Sequence, residues 1–293
     1  MRILFIGTVA FSSHALHELL AMQADVVGVC TLKISKFNSD HEDLTPIAEQ
    51  ANIPVYCDPD LHSPKSLDWI RKLYPDVIFC FGWSRLIREP LLTLPPLGVV
   101  GFHPGALPAN RGRHPLIWAL VLGLAETAST FFIMDKGPDS GDIISQEKVY
   151  IDSADNARTL YARITKVALA QLRDFVPRLE TGSIQLQPQD HDLANVWRKR
   201  GPADGRIDWR MAASSIHNLV RGLTRPYIGA HFDYDSQVIK VWKTEVEPDA
   251  PMNLEPGKVL AVNSNTLLVK AGIGAIRLLD YEPLISLSPG IYL

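Results

Sequence analysis

VIFCFGWSRLIREPLLTLPPLGVVGFH, residues 77–103, holds two short apolar runs, VIFCF (Val77–Phe81) and VVGFH (Val99–His103), joined by a proline-rich connection. Both are rich in β-branched and aromatic side chains, and both are apolar at nearly every position rather than at every second one. Such runs suit parallel strands buried on both faces. Working outward, residues 2–7 (RILFIG) and 26–30 (VVGVC) repeat the pattern. Residues 13–22, 44–51 and 64–73 carry apolar positions at helical spacing. Strands alternating with helices predict right-handed βαβ units in an α/β fold with a doubly wound, mostly parallel sheet. In such sheets ligands sit beyond the carboxyl ends of the strands. The residues that follow each strand are therefore where chemistry is to be sought.

Residues 129–135 (STFFIMD) predict one more strand, which leads into the turn KGPDSGD at 136–142. A long amphipathic helix is expected over 156–179. After Gly182 the chain turns polar and reads as a linker over 183–205. A short helix at 213–222 then precedes strand-like runs at 238–242, 257–262 and 266–270, which suggest a small, mainly-β, barrel-like domain. The 293 residues are long for one core. The expected division is a domain over 1–182, the linker 183–205 and a smaller domain over 206–293.

Hydrophobic residues make up 46% of the chain and charged residues 21%, the balance of an ordinary globular protein. A formal net charge of -3 gives no general pull toward nucleic acid or an anionic membrane. Cys30, Cys57 and Cys80 are isolated, with no CxxC pair, and suit small buried residues in a reducing compartment. MRILFIGT is too short for a signal segment, and no stretch nears the roughly 18 apolar residues that span a bilayer. A cytoplasmic location is expected. Gly7 follows the first strand, but Thr8, Val9, Ala10 and Phe11 leave no G-x-G-x-x-G fingerprint for a dinucleotide. Ser12 or Ser13 is the expected N-cap of the next helix.

His103 ends an apolar strand, at the place where such sheets hold ligands. Pro104, Pro108 and Pro115 stiffen the loop behind it. A histidine titrating near neutrality suits proton transfer, and a carboxylate beside it stabilises the charged ring. The next strand delivers Asp139 in the turn Asp-Ser-Gly-Asp. At this level each residue has a structural alternative, His103 as a satisfied core residue and Asp139 as a turn former. Asp139 and Asp142 lack a histidine or third carboxylate at suitable local spacing, so no metal is expected.

Residues 98–115 (GVVGFHPGALPANRGRHP) and 135–144 (DKGPDSGDII) together resemble the folate-dependent formyltransferase family, whose pattern is Asn-x-His, a Leu-Pro-x-x-Arg-Gly loop and Asp-x-Gly-Asp after the next strand. FIGTVAF at 5–11 resembles the opening strand and turn of that family, and residues 204–232 resemble its carboxyl-terminal domain. The resemblance implies a Rossmann-like formyltransferase fold and transfer of a formyl group from 10-formyltetrahydrofolate to an amine. It implies His103 as the proton-transfer residue and Asp139 as the carboxylate that tunes it. It implies a folate pocket at Gly82, Trp83, Arg85, Leu86, Gly137, Pro138 and Asp139. Gly101 stands where the family has the asparagine that donates to the oxyanion. Asn110 and His114 are candidate replacements, with loop structure as the alternative.

Residues 32–50 hold two lysines against Asp40, Glu42, Asp43 and Glu49, where the tRNA enzymes of the family carry a basic loop. Residues 201–293 hold nine Lys/Arg and ten Asp/Glu, which offers no basic channel. Residues 35–40 and 110–123 look most like the sugar N-formyltransferase branch. A small amine, a nucleotide-linked amino sugar, is therefore expected as the acceptor, with no nucleic acid as partner. Arg111 and Arg113 are candidates for its phosphate or carboxylate, with a structural role as the alternative for Arg111, which belongs to a motif shared by other branches of the family. A homodimer is left open. Methionyl-tRNA formylation, and a folate-binding or formyl-hydrolysing protein without full transfer, stand as alternatives.

Overall fold

A computed structural model of the chain describes residues 1–35 and 38–293. Lys36 and Phe37, part of the acidic segment counted above, lie outside the described residues. The chain forms two compact units. The first comprises Met1–Gly112, Thr127–Val149 and Ala162–Trp197, and the second Arg113–Glu126, Tyr150–Tyr161 and Arg198–Leu293.

In the first unit the strands β1 (Ile3–Gly7), β2 (Val26–Thr31), β3 (Val55–Cys57), β4 (Val77–Phe81) and β5 (Val99–His103) pair in parallel, in the order β3-β2-β1-β4-β5. β7 (Glu126–Ile133) then joins β5 in antiparallel register, with His103 opposite Thr130, and β8 (Ile143–Tyr150) forms the edge beyond it. Helices α1 (Ala10–Ala21), α2 (Thr45–Gln50) and α3 (Pro64–Lys72) connect the parallel strands, and α5 (Ala157–Glu180) follows β8. The five inner runs read from the sequence are all strands. β3 and β8 escaped that reading because an edge strand is covered on fewer sides. β3 has only three residues, half-buried or exposed, and β8 mixes buried with exposed positions, so no continuous apolar run marks them.

Helix α1 begins at Ala10, ahead of the expected cap. The Val9 amide donates to the Ser12 hydroxyl, which itself donates to the Phe81 carbonyl, so Ser12 ties the helix to β4 from inside its first turn. The core between the sheet and its helices is aromatic. Phe5, Phe79, Phe81, Phe131 and Phe175 are fully buried, and burying each stabilises by about 1.5–3 kcal/mol. Phe102 stacks on Phe11 of α1 at 4.0 Å and leans on Phe131 at 4.9 Å. That packing anchors the last turn of β5, and therefore His103.

Residues 183–205, expected as a linker, carry ordered contacts. Gln187 exchanges both backbone hydrogen bonds with Ile143, and β9 (Val196–Trp197) pairs with β6 (Arg111–Gly112). In the second unit β10 (Ala230–Tyr234), β11 (Gln237–Glu247), β12 (Val259–Asn263), β13 (Thr266–Lys270) and β14 (Ala275–Glu282) form an antiparallel sheet in the order β10-β11-β14-β13-β12. Helix α6 (Ala213–Leu223) buries Ile216, Leu219, Val220 and Leu223 in its core, with Ile117 from α4 (Pro115–Val121) beside them. Among the described residues no helix is long and apolar enough to cross a membrane.

Candidate active site

His103 sits at the carboxyl end of β5 with its ring 4% exposed. Its Nε2 lies 2.7 Å from the Asn110 carbonyl. A carbonyl can only accept, so Nε2 carries the hydrogen and Nδ1 has its lone pair available. Nδ1 faces Asp139 Oδ2 at 3.6 Å, too long for a hydrogen bond but close enough for the carboxylate to attract the ring once it is protonated. A proton accepted at Nδ1 therefore meets a carboxylate. Asp139 itself is held by the Gly112 amide, which donates to Oδ2 at 2.9 Å.

The turn-forming role first weighed for Asp139 belongs to Asp135. Its Oδ1 accepts from the Gly137 amide at 2.9 Å and the Ser140 hydroxyl at 2.6 Å. With the turn closed by Asp135, the Asp139 carboxylate is directed at Gly112 and His103. Asp139 takes φ 53°, in the left-handed region. The loop behind His103 is fixed from β7 and β8. Thr130 Oγ1 donates to the Gly105 carbonyl at 2.7 Å, and Gln146 Nε2 to the Leu107 carbonyl at 2.8 Å. Thr130, Gln146 and the strap residues Gln189 and Asn195 were missed in the sequence. Each acts on backbone carbonyls, amides or a side chain far along the chain, and no local spacing encodes such a contact.

The candidate replacements for the missing asparagine differ. Asn110, at φ 61°, has its backbone engaged on both sides, its carbonyl by His103 and its amide by Asn195 Oδ1 at 2.8 Å; its side chain is half-buried. His114 belongs to the second unit, where its Nδ1 accepts from the Arg200 amide at 3.3 Å. Burial, reinforced by Arg113, Arg200 and Lys199, pushes the His114 imidazole below its ordinary value.

Gly101 is not an open slot for an asparagine. A Cβ there would sit 2.9 Å from the Phe132 ring and 2.9 Å from Met134 Cγ. Gly101→Asn is expected to lower stability by about 1–3 kcal/mol through overpacking and to leave kcat no higher. A thermal melt and a rate measurement on the purified variant check both parts, and a gain in kcat at unchanged Tm contradicts the expectation.

Arg111 is buried, 7% exposed, with Nε and Nη2 on Gln189 Oε1 at 3.1 and 2.6 Å and Nη2 also 3.1 Å from His191 Nδ1. Its guanidinium is thus engaged inside the protein, the arrangement expected of a structural arginine. Arg113 lies half-buried in the second unit. Among the expected folate residues, Gly82, Trp83 and Gly137 are half-buried, and Arg85, Leu86 and Pro138 are exposed. Trp83 and Arg85 line a cavity of about 240 Å³ at the strand ends with Thr8, Leu32, Ser35, Asn38 and Ser84. Among the described residues no group of three or more His, Cys, Asp or Glu is placed to hold a metal.

A largely parallel α/β unit in which an inner strand ends on a buried histidine facing a carboxylate, followed by an antiparallel β unit, is equipped for acid–base chemistry at the strand end. The chain belongs to the formyl transferase family. The family profile described as formyl transferase matches residues 1–175, and that described as formyl transferase, C-terminal domain, matches residues 200–284. Solved structures share the fold. WlaRD, a sugar 3N-formyltransferase solved with dTDP and 5-N-formyl-THF, is 17% identical with TM-score 0.71, over 95% of this chain and 97% of its own. The N-formyltransferase of Helicobacter canadensis, complexed with folinic acid and dTDP-3-aminofucose, gives 17% and 0.71 over 94% and 98%. The methionyl-tRNA formyltransferase of Clostridium thermocellum gives 19% and 0.62 over 85% and 95%. The protein is an enzyme of formyl transfer.

Proposed function

We propose that this protein moves the formyl group of 10-formyltetrahydrofolate to the amine of a nucleotide-linked amino sugar. The observation that carries the chemistry is the lone pair of His103 Nδ1 facing Asp139 beyond the end of β5. The neutral amine attacks the formyl carbon, forming the new C–N bond and a tetrahedral intermediate. His103 takes the proton that the attacking nitrogen sheds and returns it to folate N10 as the C–N10 bond breaks. Asp139 stabilises the imidazolium between the two transfers. General acid–base assistance of this kind is worth about 10²- to 10⁴-fold.

Trp83 and Arg85 fit the folate, one offering a flat face and the other a guanidinium on the same cavity. Leu86, Gly82 and the Gly137–Asp139 turn are assigned to the same pocket, and no metal is invoked. The side chain of Asn110 is the oxyanion candidate in this unit, and Arg113 the candidate for an acceptor anion. Catalysis is assigned to residues 1–182, with 206–293 as the smaller domain.

Charge supports a small acceptor over tRNA. The second unit contains the basic run Arg198-Lys199-Arg200, which the sequence reading passed over. Arg198 is paired with Asp204, Arg200 donates to the Asp204 carbonyl, and both guanidinium groups lie over the Trp118 ring, at 5.4 and 4.5 Å. Both arginines of the run are thus engaged within the protein. Incubating the enzyme with 10-formyltetrahydrofolate, a panel of dTDP- and UDP-linked amino sugars, and methionyl initiator tRNA tests the assignment. Transfer to one sugar amine well above transfer to tRNA is expected. Equal or greater transfer to tRNA overturns the acceptor. Formate released at the same rate without any amine would identify a hydrolase instead.

A further inference from the structure

Gln189 stands alone in its stretch. Its neighbours from Gln185 to Leu193 are exposed, while Gln189 is only 6% exposed. Its amide is fully used. Oε1 accepts from Arg111 Nε and Nη2, and Nε2 donates to the Asp139 carbonyl at 2.9 Å and to the Gly141 carbonyl at 2.6 Å. Two acceptor and two donor positions are all that a carboxamide offers. We propose that Gln189 is a positioning residue for proton transfer, clamping the loop that carries Asn110–Gly112 to the turn that carries Asp139. This rests on the roles given to His103 and Asp139 above.

The clamp joins the two segments whose relative placement sets the site. The loop supplies the carbonyl that fixes the His103 tautomer and the Gly112 amide that holds Asp139 Oδ2. The turn supplies the carboxylate. Both segments contain a non-glycine residue in the left-handed region, Asn110 at φ 61° and Asp139 at φ 53°, which asparagine and aspartate enter more readily than other side chains. Gln189 bonds the carbonyl of Asp139 itself, and so holds that residue directly. The strap that carries Gln189 is set from both sides, by the Gln187–Ile143 pair before it and by Asn195 and β9 after it.

The chemistry leaves little room for substitution. Glutamate at 189 would keep an acceptor for Arg111 but turn an oxygen toward two carbonyls, which supply no hydrogen. Methionine would keep the volume and lose all four contacts. In either variant the turn is freed to relax while His103 keeps its strand. The expected consequence is a looser carboxylate, not a lost substrate contact.

The experiment is a double-mutant cycle on the full chain between Gln189→Met and Asp139→Asn, with Gln189→Glu as a second clamp variant should Gln189→Met fold poorly. Transfer from 10-formyltetrahydrofolate is measured to the amine that the acceptor panel selects. Hydrogen exchange over residues 111–112 and 139–142 is followed in substrate-free protein. A clamp variant should lose about 10- to 100-fold in kcat, the scale of a 1 Å misplacement, with KM for both substrates within about threefold and faster exchange in both segments. In the Asp139→Asn background the same change should cost less than about twofold, because Gln189 acts through Asp139. Fully additive losses, a loss confined to KM, or unchanged exchange would overturn the clamp. If Asp139→Asn alone keeps wild-type turnover, the proton-transfer reading fails first, and that outcome is distinct from additivity in an impaired Asp139→Asn enzyme.

Discussion

His103→Gln is expected to fold like the parent and to lose about 10²- to 10⁴-fold in kcat, with KM for 10-formyltetrahydrofolate nearly unchanged. The variant is chosen for what it leaves in place. The ring is buried, and its Nε2–H satisfies the Asn110 carbonyl. Removing that donor outright would leave a buried carbonyl unpaired at about 1–3 kcal/mol, whereas glutamine, whose amide nitrogen reaches the position of Nε2, retains an N–H donor for it. Phe102, stacked on Phe11, continues to hold the end of β5. What glutamine lacks is a basic nitrogen facing Asp139, so proton transfer is lost while the scaffold stays. Circular dichroism, a thermal melt and steady-state kinetics decide the matter. Turnover within a few-fold of the parent in a folded variant removes His103 from the mechanism.

Gly141→Ala should produce the largest structural effect of a single methyl group in this protein. A Cβ at Gly141 would lie 1.8 Å from the Ile133 carbonyl oxygen and 3.0 Å from its carbon. Neither atom is the end of a flexible side chain. Both belong to β7, whose Ile133 amide donates to the Asp142 carbonyl at 2.8 Å. The main chain of the turn must therefore move, and Asp139 moves with it. A cost of about 3 kcal/mol, the upper end of overpacking, is expected, with a Tm several degrees lower. Activity should fall beyond what the lost stability explains, because the Asp139 carboxylate leaves Gly112. An alanine variant with unchanged Tm and kcat would show that the turn has room the structure denies it.

Much of the fold was legible because its inner strands announce themselves. VIFCF and VVGFH are buried on both faces, so nearly every side chain is apolar and the run needs no partner to be recognised. His103 and Asp139 were legible for a related reason. Ligands collect at strand ends, and each residue closes or follows a strand. The edge strands β3 and β8 were not legible, since partial exposure leaves mixed polarity that resembles a loop. Nor was the antiparallel entry of β7, because the direction of a strand leaves no mark on its own apolar pattern.

The polar frame of the site separates the two kinds of information most clearly. Residues 183–205 are polar because most of them face water, and by composition Gln189 is one more such residue. Its burial follows from the return of the chain to Ile143 and Arg111, a contact across 78 positions. Arg111 shows the same limit. An arginine in a glycine- and proline-rich loop invites an anion, yet here its charge is met by an amide and an imidazole. By itself the sequence determined the layered α/β plan, the family pattern and the two residues that face each other, since these rest on burial periodicity and on the identity of neighbours in the chain. Only the tertiary structure decided how that pair is held, that Gly101 has no space for a side chain, and that Arg111 faces inward, because hydrogen bonds between distant segments depend on where the chain returns and not on what stands beside it.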